Sequence, residues 1–195
     1  MTDAPLAARL AFLVEIDRLK GVERASPLAD GSRRENAGEH SWHVAVAALL
    51  LADEAGPGVR VDRAIRMLLI HDIAEIDAGD VPIHASVDAA AQAAKERAAA
   101  DRLFGLLPEA QAAELRALWE EFERGESADA AYARAVDRLQ PLLLNRASGG
   151  GSWIDYDVTL AQIDARVGPK IARGLPRVWP AIRARIAPWF ATRGR

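Results

Sequence analysis

Apolar side chains recur every three to four residues along almost the whole 195-residue chain, and this spacing is typical of α-helices. Leu6, Leu10, Leu13 and Leu19 form the first such stripe, which ends at Gly21. Alanine is abundant, β-branched residues are sparse, and no segment of useful length alternates apolar and polar side chains. The sequence therefore predicts an all-α fold in a single domain without internal repeats.

Further helices are placed by the residues that cap or break them. They are expected over residues 39–55, from Asp62 to about residue 78, from Ser86 to about residue 104, from Pro108 to about residue 124, from Ser127 onwards, and in two C-terminal stretches that begin at Thr159 and Leu175. Pro141 is expected to kink or end the helix that begins at Ser127. The Ser-Gly-Gly-Gly-Ser stretch at residues 148–152 resembles a linker but is too short to divide two domains.

Composition and charge exclude several classes of protein. The formal net charge of -3 and the pI near 5.8 make the chain a poor electrostatic match for nucleic acid or an anionic membrane. The longest apolar run, residues 44–52, is far shorter than the roughly 20 residues that span a bilayer, and the N-terminus lacks signal-peptide features. The absence of cysteine excludes disulfides, iron–sulfur clusters and a thiol nucleophile. We expect a cytoplasmic protein that binds neither nucleic acid nor membranes.

A histidine and an aspartate stand side by side in an otherwise apolar helical segment, at His71 and Asp72. Burying these two groups costs several kcal/mol unless they are paired or bind a metal. Glu75 follows four residues after His71, so all three side chains can face one cavity. Asp77 and Asp80 come next, and such a cluster of acids repels itself unless a cation or a proton intervenes. A solvated acidic helix end would explain Asp77 but explains His71 and Asp72 poorly.

Two further segments offer ligands of the same kind. His40 and His43 share one face at the start of the second helix, and Asp137 stands among apolar positions of a later helix. A single histidine on a helix is more often a core or surface residue than a ligand, so the evidence lies in the combination. Imidazole and carboxylate groups together suit divalent cations such as Mn, Fe, Co, Ni or Zn. The sequence alone does not choose among these metals.

The order His40, His71-Asp72, Asp137 resembles the H…HD…D signature of the HD-domain metal-dependent phosphohydrolases. The chain is most similar to the compact branch of that superfamily that includes the 5'-deoxynucleotidases. Three segments in the correct order carry the resemblance: RRENAGEHSW at residues 33–42, LIHDIAEIDAGD at residues 69–80 and DRLQP at residues 137–141.

The resemblance extends over residues 12–153, so residues 154–195 are expected to form a C-terminal helical extension of the same domain. It implies a helical bundle with a metal site between the helices. It also implies one divalent cation (Mn, Co, Fe, Ni, Zn or Mg) bound by His40, His71, Asp72 and Asp137.

The resemblance also implies roles for residues around the metal. Glu75 and Asp80 match acidic residues of this branch that position the attacking water and handle protons. Arg33 matches a basic residue that meets the substrate phosphate, although a surface ion pair with a neighbouring glutamate is the alternative for this side chain.

The implied activity is hydrolysis of a phosphate monoester, with a (deoxy)nucleoside 5'-monophosphate as the expected substrate and a homodimer as the expected assembly. One alternative is a non-catalytic, metal-containing protein that binds or senses a nucleotide. Another is a phosphodiesterase, for which only His43 and His84 remain as ligands of a second metal.

The sequence departs from the nucleotidase branch at one position. That branch has an Arg-Trp pair ahead of the first metal histidine, where the aromatic ring helps to exclude a 2'-hydroxyl group. The nearest equivalent here is Arg24-Ala25, and no tryptophan precedes Trp42. We therefore expect weaker discrimination between ribose and deoxyribose than in that branch.

Overall fold

The computed structural model describes residues 3–85 and 87–193, and almost all of their regular structure is helical. The helices are α1 (Ala4–Glu15), α2 (Ala37–Leu50), α3 (Val61–Ile70), α4 (Glu75–Ala78), α5 (Ala89–Phe104), α6 (Glu109–Arg124), α7 (Ala128–Ala147), α8 (Ser152–Asp155), α9 (Leu160–Arg166), α10 (Gly168–Gly174) and α11 (Val178–Ala191). The predicted all-α fold is confirmed. No helix within the described ranges is long and apolar enough to cross a membrane.

Helix α7 lies at the centre of the bundle and carries Asp137. It packs against α2, α3, α6, α10 and α11, and it buries Tyr132, Val136 and Leu139. The hydroxyl group of Tyr132 donates a hydrogen bond of 2.7 Å to the backbone oxygen of Ala48 on α2. Because neighbouring helices cover α7 on several sides, Asp137 is only 4% exposed.

Two apolar clusters meet at the end of α3. The larger cluster is built around α7 with α2, α3, α10 and α11, and the smaller one packs the N-terminal segment against α5 and Trp119 of α6. Ile70 packs against both clusters. His71 and Asp72 follow Ile70 directly and are both buried, so the fold places them at the boundary between the two clusters.

The helix predicted from Asp62 to residue 78 is interrupted at this boundary. Beyond α3, the backbone nitrogen of Ile73 donates to the oxygen of Ile70 at 3.1 Å, and that of Glu75 donates to the oxygen of Asp72 at 2.9 Å. These bonds span three residues and tighten the chain before α4 begins. The prediction of one continuous helix is wrong. Over only four residues, an α-helix and a tighter turn place apolar side chains at similar spacings, so the sequence pattern did not distinguish them.

Helix α7 begins where the sequence predicted. The side-chain oxygen of Ser127 accepts a hydrogen bond of 3.1 Å from the backbone nitrogen of Ala130, which satisfies one of the free donors of the first turn. The helix then continues through Pro141 to Ala147, so the proline does not end it.

Two other predicted caps have different outcomes. Asp62 lies inside the first turn of α3, whose N-cap residue is Arg60, so this prediction is wrong. Helix α5 begins after Asp88, whose carboxylate accepts hydrogen bonds from two backbone nitrogens of the first turn. The predicted cap of that helix, Ser86, lies outside the described residues.

The leucine stripe of the first helix is not buried as the periodicity suggested. Helix α1 ends at Glu15 and continues as a 3₁₀ turn over Ile16–Gly21. Leu10 and Leu13 are exposed, Leu13 by 59%, whereas Phe12 and Leu19 are the buried residues of this segment. Periodicity identified the helix but not the face that packs against the protein, because that face is chosen by the neighbouring elements.

A two-stranded antiparallel hairpin lies between the first two helices, where the sequence predicted no strand. It joins β1 (Glu23–Pro27) to β2 (Arg34–Asn36). Arg24 and Ser26 are the buried residues of β1. The sequence pattern missed this strand because polar side chains occupy the inward positions, where apolar residues are the usual signal.

Candidate metal centre

The structure brings together the four side chains that the resemblance implied as ligands. His40 lies on α2, His71 and Asp72 follow α3, and Asp137 lies on α7. The potential ligand atoms of His40, His71 and Asp72 all lie within 4.8 Å of one another, and this group could hold a metal ion. The Nε2 atom of His40 lies 3.0 Å from Oδ1 of Asp137. All four residues are buried.

The imidazole ring of His40 is held by a chain of hydrogen bonds. Nδ1 of His40 lies 3.1 Å from Oε1 of Gln140, and Nε2 of Gln140 donates to Oε2 of Glu35 at 2.8 Å. Because the Glu35 carboxylate accepts this bond, the orientation of the Gln140 amide is determined, and Nδ1 of His40 must carry the hydrogen. Nε2 of His40 points towards Asp137, and the bond from Nδ1 to Gln140 fixes the ring orientation, as supporting groups do for metal-binding histidines.

His71 is oriented in the same way by a backbone group. Its Nδ1 atom donates to the backbone oxygen of Leu68 at 2.8 Å. Its Nε2 atom is buried 3.0 Å from Oδ1 of Asp72 and 3.7 Å from Oδ1 of Asp137, but it makes no hydrogen bond within the described part of the chain. Burial lowers the pKa of His71, but the carboxylates of Asp72 and Asp137 outweigh this effect and raise it to about 10. The carboxylates thus favour a positive charge at this point.

Arg24 is one of the residues of this centre whose role was not predicted from the sequence. Its Nη1 atom lies 2.8 Å from Oδ2 of Asp72, 3.5 Å from Oδ1 of Asp80 and 3.9 Å from Oε1 of Glu75, and its Nε atom lies 3.5 Å from Oε1 of Glu35. Burial lowers the pKa of Arg24, but the carboxylates outweigh this effect and raise it. The signal that could have identified it was its match to the arginine of the Arg-Trp pair.

Glu75 and Asp80 lie beside the four candidate ligands. Burial raises the pKa of both carboxyl groups, and the charge of Asp72 adds to the effect. One carboxylate oxygen of Glu75, Oε2, is buried without a hydrogen-bond partner in the described structure. Glu75 therefore has an oxygen that is not used in a structural bond, which suits a role in proton transfer.

Two cavities border this centre. The first, which we call the apolar cavity, has a lining that includes Ala25, Ile83, Leu142, Trp153 and Tyr156. The second, which we call the acidic cavity, is lined by His71 and by six carboxylates: Asp72, Glu75, Asp80, Glu96, Glu123 and Asp137. Four residues line both cavities and mark their junction: Arg24, Asp80, Val81 and Arg138.

Residues 16–179 match the HD-domain family, which is far more than half of the sequence. The chain belongs to the HD-domain family. The 5'-deoxynucleotidase HDDC2 of Bos taurus is 33% identical over 135 residues, which are 69% of this chain and 64% of that protein. The 5'-deoxynucleotidase hdd1 of Schizosaccharomyces pombe is 25% identical over 145 residues, which are 72% of each protein. The chain thus spans less than two thirds of the length of the bovine relative.

Solved structures share this fold. The predicted metal-dependent phosphohydrolase from Magnetospirillum magnetotacticum MS-1 is 50% identical, with a TM-score of 0.91 over 98% of both chains. The PH0347 protein from Pyrococcus horikoshii OT3 is 24% identical, with a TM-score of 0.65 over 90% of this chain and 99% of the other. The second likeness concerns the fold alone.

Membership of the HD-domain family implies a divalent cation, and the residues present fit one. The Nε2 atoms of two imidazole rings converge with the carboxylates of Asp72 and Asp137. Nitrogen and oxygen donors in this combination suit first-row divalent metals. The Nε2 atom of His71 is buried and faces the carboxylates of Asp72 and Asp137 without making a hydrogen bond in the described structure, which suits a ligand atom.

The structure does not bring Arg33 to this centre. Its side chain is 54% exposed, forms a two-pronged ion pair with Glu39 and lines neither cavity of this HD domain. The Arg33 guanidinium lowers the pKa of Glu39 to about 2. Glu39 also closes the capping box of α2 with Asn36, so both partners serve the start of that helix. The expected phosphate contact is corrected to the surface ion pair that was its alternative.

The remaining histidines do not join the cluster. Nδ1 of His43 lies 3.2 Å from Nε2 of Gln140, so His43 contacts Gln140, the residue that orients His40. His84 lines the apolar cavity. Within the described residues, the group that could hold a metal ion includes neither of them, and this favours a centre with one metal ion over a binuclear phosphodiesterase site.

Proposed function

We propose that this HD domain is a metal-dependent phosphohydrolase that converts a (deoxy)nucleoside 5'-monophosphate to the nucleoside and inorganic phosphate. The names of the curated relatives and of the similar solved structure support this proposal. The observation that carries it is the buried centre itself: two oriented imidazole Nε2 atoms converge with two carboxylates, beside an oxygen of Glu75 that has no hydrogen-bond partner among the described residues. Such a centre adjoins the apolar cavity, whose lining of aromatic, aliphatic and polar side chains suits a nucleoside.

In this proposal one divalent cation is held by His40, His71, Asp72 and Asp137. When bound, it supplies a positive charge that neutralises the charge developing on the phosphoryl group. The metal is one of Mn, Co, Fe, Ni, Zn or Mg. Arg24 holds the surrounding carboxylates together, because its guanidinium is in contact with Asp72 and within 4 Å of Glu75 and Asp80.

The positions of Glu75 and Asp80 relative to the two cavities indicate which of them accepts a proton and which donates one. Glu75 lines only the acidic cavity, so it is placed to accept a proton from a water molecule that attacks from that side. Asp80 lies at the junction, where it can return a proton to the departing ester oxygen. A bond forms between the water oxygen and phosphorus while the ester P–O bond breaks. The products are an alcohol, which is the nucleoside, and inorganic phosphate.

The test is a screen of the purified, metal-reconstituted protein against nucleoside monophosphates, sugar phosphates and cyclic nucleotides. We expect phosphate release from nucleoside monophosphates with a divalent cation present, and none after chelation. Nucleotide binding without phosphate release from any class would contradict the proposal and favour the sensor alternative. Turnover of cyclic nucleotides alone would favour the phosphodiesterase alternative.

Ala25 leads to a prediction about sugar selectivity. It lines the apolar cavity next to Arg24, at the position where the nucleotidase branch has a tryptophan. An apolar steric wall changes selectivity by about 10- to 200-fold at most, so we expect the wild-type protein to discriminate ribose from deoxyribose weakly. Ala25→Trp should raise the deoxy-to-ribo ratio of kcat/KM within that range. Paired kcat/KM measurements check it, with Ala25→Ser as the control that adds no bulk.

A strong deoxy preference in the wild-type protein that Ala25→Trp leaves unchanged would contradict this prediction. Another residue would then exclude the 2'-hydroxyl group. Metal content and circular dichroism of Ala25→Trp show whether the bulkier side chain is accommodated in the cavity.

We also propose that the protein forms a homodimer in the cytoplasm. Exposed apolar side chains of α1, among them Leu10, Leu13 and Val14, support a contact surface on this helix. Sedimentation of the wild-type protein measures the oligomeric state directly.

A further inference from the structure

Arg138 follows Asp137 on α7, and its side chain lies at the junction of the apolar and acidic cavities. Its Nε atom is 3.4 Å from Oδ2 of Asp137 and is buried without a hydrogen bond. Its two terminal nitrogens have no hydrogen-bond partner in the described part of the protein, although the side chain is only 29% exposed. A guanidinium group carries five N–H donors, and leaving the buried Nε donor without a hydrogen bond is costly.

The other arginines of this region are already engaged. Arg24 is surrounded by four carboxylates, so its charge is compensated within the protein. Arg33 forms an ion pair with Glu39 on the surface. Of the four residues at the junction, only Arg138 therefore combines a positive charge with free donors.

We propose that Arg138 binds two oxygens of the substrate phosphate and thereby selects phosphate monoesters over diesters. This inference rests on the proposed function, because it places the phosphate next to the cation that Asp137 helps to hold. The planar fork of a guanidinium group matches two oxygens of one phosphate. From the junction, the ester group would extend into the apolar cavity, with the attacking water on the acidic side.

The selectivity follows from counting phosphate oxygens. A monoester has three non-bridging oxygens, so one can face the cation while two accept hydrogen bonds from Arg138. A diester, including a cyclic nucleotide, has only two non-bridging oxygens and cannot satisfy both partners in this way. A diester also carries one negative charge instead of two, so it gains less from the guanidinium group.

The test compares Arg138→Gln with Arg146→Gln, since both arginines lie on α7 and Arg146 is exposed and lines neither cavity. Calorimetric titration of inorganic phosphate into the Mn-loaded proteins measures binding without turnover. We expect Arg138→Gln to weaken phosphate binding by about 10- to 100-fold, the loss expected for charge-assisted hydrogen bonds, and Arg146→Gln to leave it unchanged. Arg138→Lys should recover part of the loss, because it restores the charge but not the fork.

Turnover provides a second readout. In Arg138→Gln, kcat/KM should fall more for an aryl phosphate monoester than for the matching diester, so the monoester-to-diester ratio decreases. Phosphate affinity within about twofold of wild type, compared at equal metal occupancy, would overturn the proposal. So would a wild-type protein that binds no inorganic phosphate. A wild-type protein that binds phosphate through Arg138 but hydrolyses nothing would refute the proposed hydrolase and leave the binding role standing.

Discussion

Replacing Glu75 by glutamine should reduce the kcat of metal-dependent phosphate release by at least about 100-fold, the lower range for general acid–base catalysis. Glu75 begins α4 and lines the acidic cavity, and its Oε2 atom has no protein partner in the described structure. Glutamine keeps the size of the side chain but cannot accept the proton from water. Metal content and substrate KM should therefore stay close to wild type while kcat falls.

The matched control is Glu109→Gln, because Glu109 is also the first residue of a helix, α6, but is exposed and lines neither cavity. We expect this variant to keep wild-type activity. Equal rates of phosphate release by the wild-type protein and Glu75→Gln would contradict the assignment. Asp137→Ala then distinguishes a spectator Glu75 from a contaminating phosphatase, since only the contaminant's activity would survive in that variant.

Replacing either His71 or Asp137 by alanine should weaken binding of the divalent cation by at least about 100-fold. This is the upper end of the loss found when only a residue supporting a ligand is changed. Each variant removes one of the buried groups that converge on the centre. Metal analysis after dialysis, together with metal titration, measures the change, and phosphate release should be lost in parallel.

The control for this experiment is His43→Ala. His43 is close to Gln140 but lies outside the group that could hold a metal ion. We expect it to retain the metal. Circular dichroism and thermal unfolding establish that His71→Ala and Asp137→Ala are folded, and full retention of metal by folded variants would disprove the proposed ligand set.

The features that could be predicted from the sequence depend on interactions within one turn of the chain. Helix α7 begins after Ser127 because the hydroxyl group of that residue bonds to a backbone nitrogen three residues later. Helix α6 ends at Gly125, whose φ of 65° suits glycine. His71, Asp72 and Glu75 could be expected to meet because they are close together along the chain.

The features that were missed depend on residues that are distant in sequence. The register of β1 and β2 buries Arg24, and α3 and α4 then bring Asp72 and Asp80 to within 3.5 Å of its Nη1 atom, 48 and 56 positions further along. Arg33 matched a family motif, but its position on the surface was decided by the ion pair with Glu39.

The sequence by itself determined that the chain is helical, where α7 begins, and which histidines and aspartates have side chains able to bind a metal. These properties follow from local hydrogen bonding, apolar spacing and ligand chemistry. The tertiary structure alone decided which charges are compensated inside the protein and which are free. Arg24 is neutralised by four carboxylates, whereas Arg138 keeps its donors unused at the junction of two cavities. The physical reason is that burial and Coulomb interactions depend on distances in space, which the order of residues does not contain.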